Sequence, residues 1–155
     1  DCGNFGCLEK YCSTLVLEKR MAEALENHPE HPLYGSTPDY REIIKAAREG
    51  DALSTQLFSE AATYLGYGIV NVINLLNPDI VVVTDSLAEY DELMQSVLER
   101  TVKSRLSEKI LSRTKIVVKP SSEYLAMQAA TSLVVDMFLS SPISAETEKK
   151  GSKAL

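Results

Sequence analysis

The sequence predicts an α/β fold in which a short parallel sheet is covered by helices. Three observations carry that expectation. Apolar residues recur at near-helical spacing through Leu53, Leu57, Ala61, Leu65, Ile69, Ile73 and Leu76, and Val70, Val72 and Leu75 extend the apolar surface to other faces, which predicts a long helix buried on more than one side. Ile80 to Val83 is a β-branched run without alternation, the pattern of a strand covered on both faces. A second such run, Ile116-Val117-Val118, follows after one intervening helical segment. Strand, helix, strand is a βαβ unit, so the two strands are expected to be parallel and joined by a right-handed crossover.

The elements follow in chain order. Asp1 to Cys7 is a glycine-rich turn, in which Gly3 and Gly6 let the backbone fold tightly enough to aim the Cys2 and Cys7 sulfurs at one point. A helix is expected from Leu8 to Glu26, broken near Ser13-Thr14, and its apolar residues Leu8, Tyr11, Cys12, Leu15, Val16, Met21, Ala22 and Leu25 suit a partly buried helix. Residues 27–36 read as a loop. A new helix is expected with Thr37 as N-cap and Pro38 at its first position, ending at Arg48 before Gly50. Asp51 opens the long helix, and Asn77-Pro78 ends it because proline disfavours α geometry at the residue before it. After the first strand a helix is expected over roughly 87–106, with Tyr90, Leu93, Met94, Val97, Leu98 and Val102 inward. Residues 107–113 are a short helix or loop. A last helix, Glu123 to Leu139, is carried by Leu125, Ala126, Ala129, Ala130, Leu133, Val134 and Met137. Residues 140–155 are rich in Ser, Glu, Lys and Ala and read as a disordered tail.

Two strands alone make a poor sheet. The helices therefore read as covering a larger sheet, whose remaining strands are expected upstream of residue 1. The opening residues lack an initiator Met and a basic start followed by an apolar run, so a processed chain or part of a longer one is expected.

Composition bounds the function. One domain is the default for 155 residues, and 45% hydrophobic content supplies a real core. A net charge of −6 argues against this segment gripping a nucleic-acid backbone. The basic residues Lys103, Arg105, Lys109, Arg113, Lys115 and Lys119 read as solvated faces. Residues 61–78 carry no charge, but Asn71, Asn74, Gly66, Gly68, Tyr64 and Tyr67 make a membrane span costly. Three cysteines without a visible signal point to a reducing, cytoplasmic setting.

Cys2-Gly3-Asn4-Phe5-Gly6-Cys7-Leu8-Glu9 resembles the zinc motif of the ROK family, which groups sugar-responsive repressors with sugar kinases. The family pattern is C-x-C-G-x-x-G-C-x-E. Asp1 stands at its first x, so its first cysteine falls before this chain. Gly50-Asp51 and the block Leu65 to Pro78 (LGYGIVNVINLLNP) continue the resemblance, which covers about residues 2–139. It implies part of the second lobe of an actin-like, ribonuclease-H-like ATPase fold. It also implies that any DNA-binding domain, the first lobe, the catalytic aspartate and the E-x-G-H sugar segment lie upstream.

The resemblance makes Cys2 and Cys7 candidate zinc ligands. A structural zinc wants four ligands, so the site is incomplete in this chain; the family adds an upstream cysteine and a histidine. Cys12 lies outside the pattern and reads as a buried small residue. His28 and His31 sit near each other but read as a solvated loop. Glu9 matches the family glutamate that accepts hydrogen bonds from sugar hydroxyls, a task a carboxylate suits because it can accept two at once. Its plainer reading is a helix-start carboxylate stabilised by the helix dipole.

Two departures bear on ATP. Family kinases carry a glycine-rich turn after this strand, where the chain has Thr84-Asp85-Ser86. They usually show Leu-Gly-Ala-Ala in the closing helix, where it has Met127-Gln128-Ala129-Ala130. Both weaken nucleotide binding. The expected function is therefore the effector-binding and oligomerisation portion of a ROK-type transcriptional regulator, a repressor answering to a sugar or sugar phosphate. It would reach DNA through an upstream domain and work as a homo-oligomer, without a membrane partner and without catalytic residues in this chain. An ATP-dependent sugar kinase is the alternative, and an interaction module with no ligand is the third reading.

Overall fold

In a computed structural model, residue 3 and residues 5–89, 91–120 and 124–140 are described. Cys2, Tyr90 and the expected tail beyond Ser140 lie outside them. The chain divides into two compact units, Asp1–Ser121 and Ser122–Leu155.

The first unit is built on α4, Ala52–Leu76. Asp51 caps it, its side chain accepting the Ser54 N–H at 2.7 Å. At the other end Asn77 takes a left-handed conformation, φ 44° and ψ 53°, and its N–H bonds to the Ile73 carbonyl. Asn tolerates that conformation better than most side chains, and Pro78 prevents the helix from resuming.

The expected N-terminal helix is two helices. α1, Glu9–Cys12, is a single turn, and α2 spans Thr14–Leu25. Ser13 is extended (φ −83°, ψ 161°), and its hydroxyl accepts the Val16 N–H as the cap of α2. α3, Tyr40–Arg48, starts two residues later than expected. Asp39, not Thr37, is the N-cap: its carboxylate accepts the N–H groups of Arg41 and Glu42, and Glu42 accepts the Asp39 N–H in return. This reciprocal box satisfies more of the helix's orphan donors than a threonine at position 37 could. Gly50, at φ +92°, turns the chain from α3 into α4.

β1, Ile80–Asp85, and β2, Lys115–Pro120, pair in parallel, with Val82 opposite Val117. Between them come a 3₁₀ turn at Ser86–Glu89, α5 at Asp91–Lys103 and α6 at Glu108–Leu111. Gln95 ties α5 to β2: its amide N–H donates to the Ile116 carbonyl, and its amide oxygen accepts the Val118 N–H.

The core gathers Leu17, Met21 and Leu25 of α2, Ile43 and Ile44 of α3, Phe58, Ala62, Ile69 and Ile73 of α4, and Met94, Leu98 and Val102 of α5. Two expectations about burial fail. The first strand is not covered on both faces: Val83 is buried, but Ile80 and Val82 are half exposed. Nor is the last turn of α4 buried all round, since Leu75 is 83% exposed. An unbroken apolar run records what a surface prefers, not whether a neighbour is present to cover it.

The second unit holds α7, Leu125–Ser140. Leu133, Val134 and Met137, among the apolar residues expected to carry it, are exposed.

Candidate functional site

The glycine turn is built as its residues require. Gly3 and Gly6 have φ of +76° and +75°, a region that other residues rarely adopt. Phe5 is fully exposed on this turn. Cys7 follows as a half-buried free thiol, and its carbonyl accepts the Lys10 N–H to start α1. Glu9 is the first residue of α1, exposed and at the positive end of that turn. Cys12 is half-buried rather than buried, with its thiol against the Leu8 carbonyl at 3.3 Å.

One face of α1 rests on α4. Tyr11 meets Tyr64 with ring centroids 4.8 Å apart, and Tyr64 meets Tyr67 edge-on at 6.0 Å. Arg20 of α2 lies over the Tyr64 ring and reaches Glu60 at 3.5 Å, while Arg105 lies over Tyr67 at 4.1 Å. Arg105 is exposed, as expected of a solvated face, and its guanidinium also lies over an aromatic ring. Beside the tyrosines, Leu8 fills the space over Gly68: a Cβ there would stand 2.6 Å from a Leu8 methyl. Glycine inside a helix is the usual sign of such a close approach, and the pair Gly66 and Gly68 is the signal that reading passed over.

The histidines stand elsewhere. His28 Nδ1 is 2.8 Å from the Ala24 carbonyl. His31 corrects the solvated-loop reading, for its side chain is only 8% exposed. The Leu33 N–H donates to Nδ1, leaving Nε2 to donate to Asp51 Oδ1 at 3.0 Å. Burial pushes the Asp51 carboxyl up, but hydrogen bonding from Ser54 and pairing with His31 outweigh it and hold it below the usual aspartate range. This cluster borders an open cleft of about 490 Å³ that includes Leu33, Glu42, Lys45 and Glu49 but neither Cys7 nor Glu9.

No group of three or more potential metal ligands converges among the described residues. Both nitrogens of His31 are engaged, so it is no reserve ligand. The described residues bring one thiol, Cys7, to the glycine turn, and by themselves they do not fit a closed tetrahedral zinc site.

The turn after β1 differs from a nucleotide-cradling loop. Residues 86–89 wind directly into a 3₁₀ turn, and no described residue between 80 and 89 has positive φ. The Thr84 hydroxyl is buried, with no hydrogen-bond partner among the described residues. Met127, Ala129 and Ala130 lie exposed on α7.

The profile of the ROK family matches residues 1–136. The chain belongs to the ROK family. The N-acetylglucosamine repressor of Shigella flexneri is 29% identical over 104 residues, which cover 67% of this chain and 26% of that protein. The xylose repressor of Bacillus subtilis (strain 168) is 27% identical over 138 residues, covering 89% and 33%. This ROK chain therefore spans about a quarter to a third of the length of the curated relatives it matches. Among solved structures, a ROK family transcriptional regulator homologous to the Escherichia coli MLC protein superposes with a TM-score of 0.68 at 24% identity, covering 75% of this chain and 30% of that one. A ROK family glucokinase from Streptomyces griseus, in complex with glucose and AMPPNP, gives 0.66 at 23%, covering 75% and 40%. These likenesses establish the fold as part of the second lobe of the actin-like architecture. No helix among the described residues is long and apolar enough to cross a membrane.

Proposed function

We propose that this chain is the effector-binding and oligomerisation portion of a sugar-responsive ROK transcriptional regulator, a repressor. The observation that carries the reading is the set of matched relatives, which are repressors named for N-acetylglucosamine and xylose. The glycine-free turn at Thr84-Asp85-Ser86 favours it over a kinase, because no backbone there opens for close approach of a nucleotide.

In this reading Glu9 accepts hydrogen bonds from two hydroxyls of a sugar or sugar phosphate. Its exposed place at the head of α1 leaves both oxygens available. Cys2 and Cys7 contribute to a structural zinc site completed by ligands outside this chain, and the glycine turn supports them by fixing the Cys7 backbone. DNA is held by another domain of the full-length protein, since the acidic net charge here suits no phosphate backbone. Effector binding shifts the population of lobe arrangements in a cytoplasmic homo-oligomer and so changes DNA affinity. Residues 1–139 act as one sugar-binding portion.

The test is calorimetric titration of the full-length protein with hexoses, xylose and N-acetylhexosamines, each with and without ATP, followed by an assay for sugar phosphate. Binding without turnover is expected, together with a change in operator affinity. Turnover would make the protein a sugar kinase despite its turn. Absence of any binding would leave an interaction module.

A further inference from the structure

α1 is too short to set its own direction. It has four residues, none of them buried, and a single turn gains little from its own hydrogen bonds. Its rotation about its axis therefore depends on what it rests against. Leu8 and Tyr11 lie on one face of that turn, three residues apart, and they meet Gly68 and Tyr64, four residues apart on one face of α4. Leu8 stands between Cys7 and Glu9 in the chain, so the depth at which it seats sets both neighbours. Gly68 leaves the space that the Leu8 methyls occupy, since a Cβ there would stand 2.6 Å from one of them.

We infer that Gly68 and Tyr64 are positioning residues for Glu9: α4 holds the rotation of α1, and through it the direction of the sugar-contacting carboxylate. The inference rests on the proposed role of Glu9. It adds that sugar affinity is set from a helix that does not itself touch sugar. Gly66, two residues away on α4, serves as the contrast. A Cβ there would press on Thr101 of α5 at 2.8–2.9 Å, so a substitution at Gly66 strains the core without addressing α1.

The experiment uses the full-length protein and three variants: Gly68→Leu, the swap Gly68→Leu with Leu8→Ala, and Gly66→Ala. Leucine is a far better helix former than glycine, and the three heavy atoms nearest a Cβ at position 68 all belong to Leu8, so Gly68→Leu is aimed at Leu8. Two quantities are read: affinity for the sugar that the wild type binds, and hydrogen exchange of the amides of residues 8–13. Gly68→Leu is expected to weaken sugar binding about 10- to 100-fold, as ångström-scale misplacement of a binding group does, and to speed exchange in that segment. The swap restores both. Gly66→Ala lowers the melting temperature and changes neither. Wild-type affinity in Gly68→Leu overturns the inference, as does a loss that the swap fails to restore or an equal loss in Gly66→Ala. If the wild type binds no sugar, the role of Glu9 falls, and exchange decides the seating of α1 by itself: restoration in the swap upholds it, and unchanged exchange in Gly68→Leu overturns it.

Discussion

The two ends of α4 are built differently. At its N-terminus polar groups interlock: Asp51 takes the Ser54 N–H with one oxygen and the His31 ring with the other, and His31 in turn takes the Leu33 N–H, while the Ser54 hydroxyl is buried without a hydrogen-bond partner among the described residues. At its C-terminus Asn77 closes the last turn, but Leu75 and Leu76 are exposed, and Ile80 and Val82 beyond them are half exposed. One end is held by hydrogen bonds that satisfy its own backbone. The other carries apolar surface that nothing among the described residues covers. The difference teaches that a helix can be fixed in place by one end and the middle, leaving its far end available to other parts of a larger protein.

The largest effect expected is in the first half of α4, where the helix meets the core. Phe58 is fully buried, and Phe58→Ala is expected to cost about 3–5 kcal/mol in urea unfolding. A loss below about 1 kcal/mol would mean that the core does not run through the first half of α4. At the N-terminus, Asp51→Ala is expected to cost about 1–2 kcal/mol, the upper range for a cap. His31→Ala combined with it should cost less than the sum of the two, because the pair shares one bond. Strict additivity would dissolve the network into separate contacts.

The same end carries a pH signature. The folded-state pKa of Asp51 lies below its unfolded value, so its contribution is fully present above that unfolded value, near 4. It is lost as pH falls through the lower, folded value. Asp51→Asn should therefore flatten the acid limb of a stability profile below about pH 4 and change its shape little near neutrality. An acid limb as steep as the wild type's would show that Asp51 is not held below its usual range. The smallest effect belongs to the C-terminal end, where Leu75→Ser is expected to shift stability by less than about 0.5 kcal/mol in the isolated chain. A loss as large as that of Asp51→Ala would show that Leu75 is covered in solution and that the two ends are alike.

Local rules reached the fold well. Asn77-Pro78 stops α4, Asp51 starts it, the two β-branched runs pair in parallel, and the break at Ser13 falls where the sequence placed it. What local rules missed depends on the bonds that partners return. Asp39 takes the cap from Thr37 because it accepts two N–H groups and Glu42, three residues on, accepts its own N–H. His31 left the solvent because Asp51, twenty residues on, accepts its Nε2–H. Of the site, the glycine turn and the place of Glu9 were legible. The seat of α1 on Gly68 was not, because a helical glycine announces a close approach without saying whose side chain arrives.

Gln95 has a bearing on how the sheet can grow. Its amide accepts from the Val118 N–H and donates to the Ile116 carbonyl, which is the pattern one residue of an adjoining parallel strand would offer opposite Val117. A lone side chain thus impersonates a strand at the outer margin of β2, and it removes the docking points that an incoming backbone would need there. Sheets with a bare margin recruit neighbours indiscriminately. This one is plugged on the β2 side, so any further strand must add beside β1, and growth has a single direction.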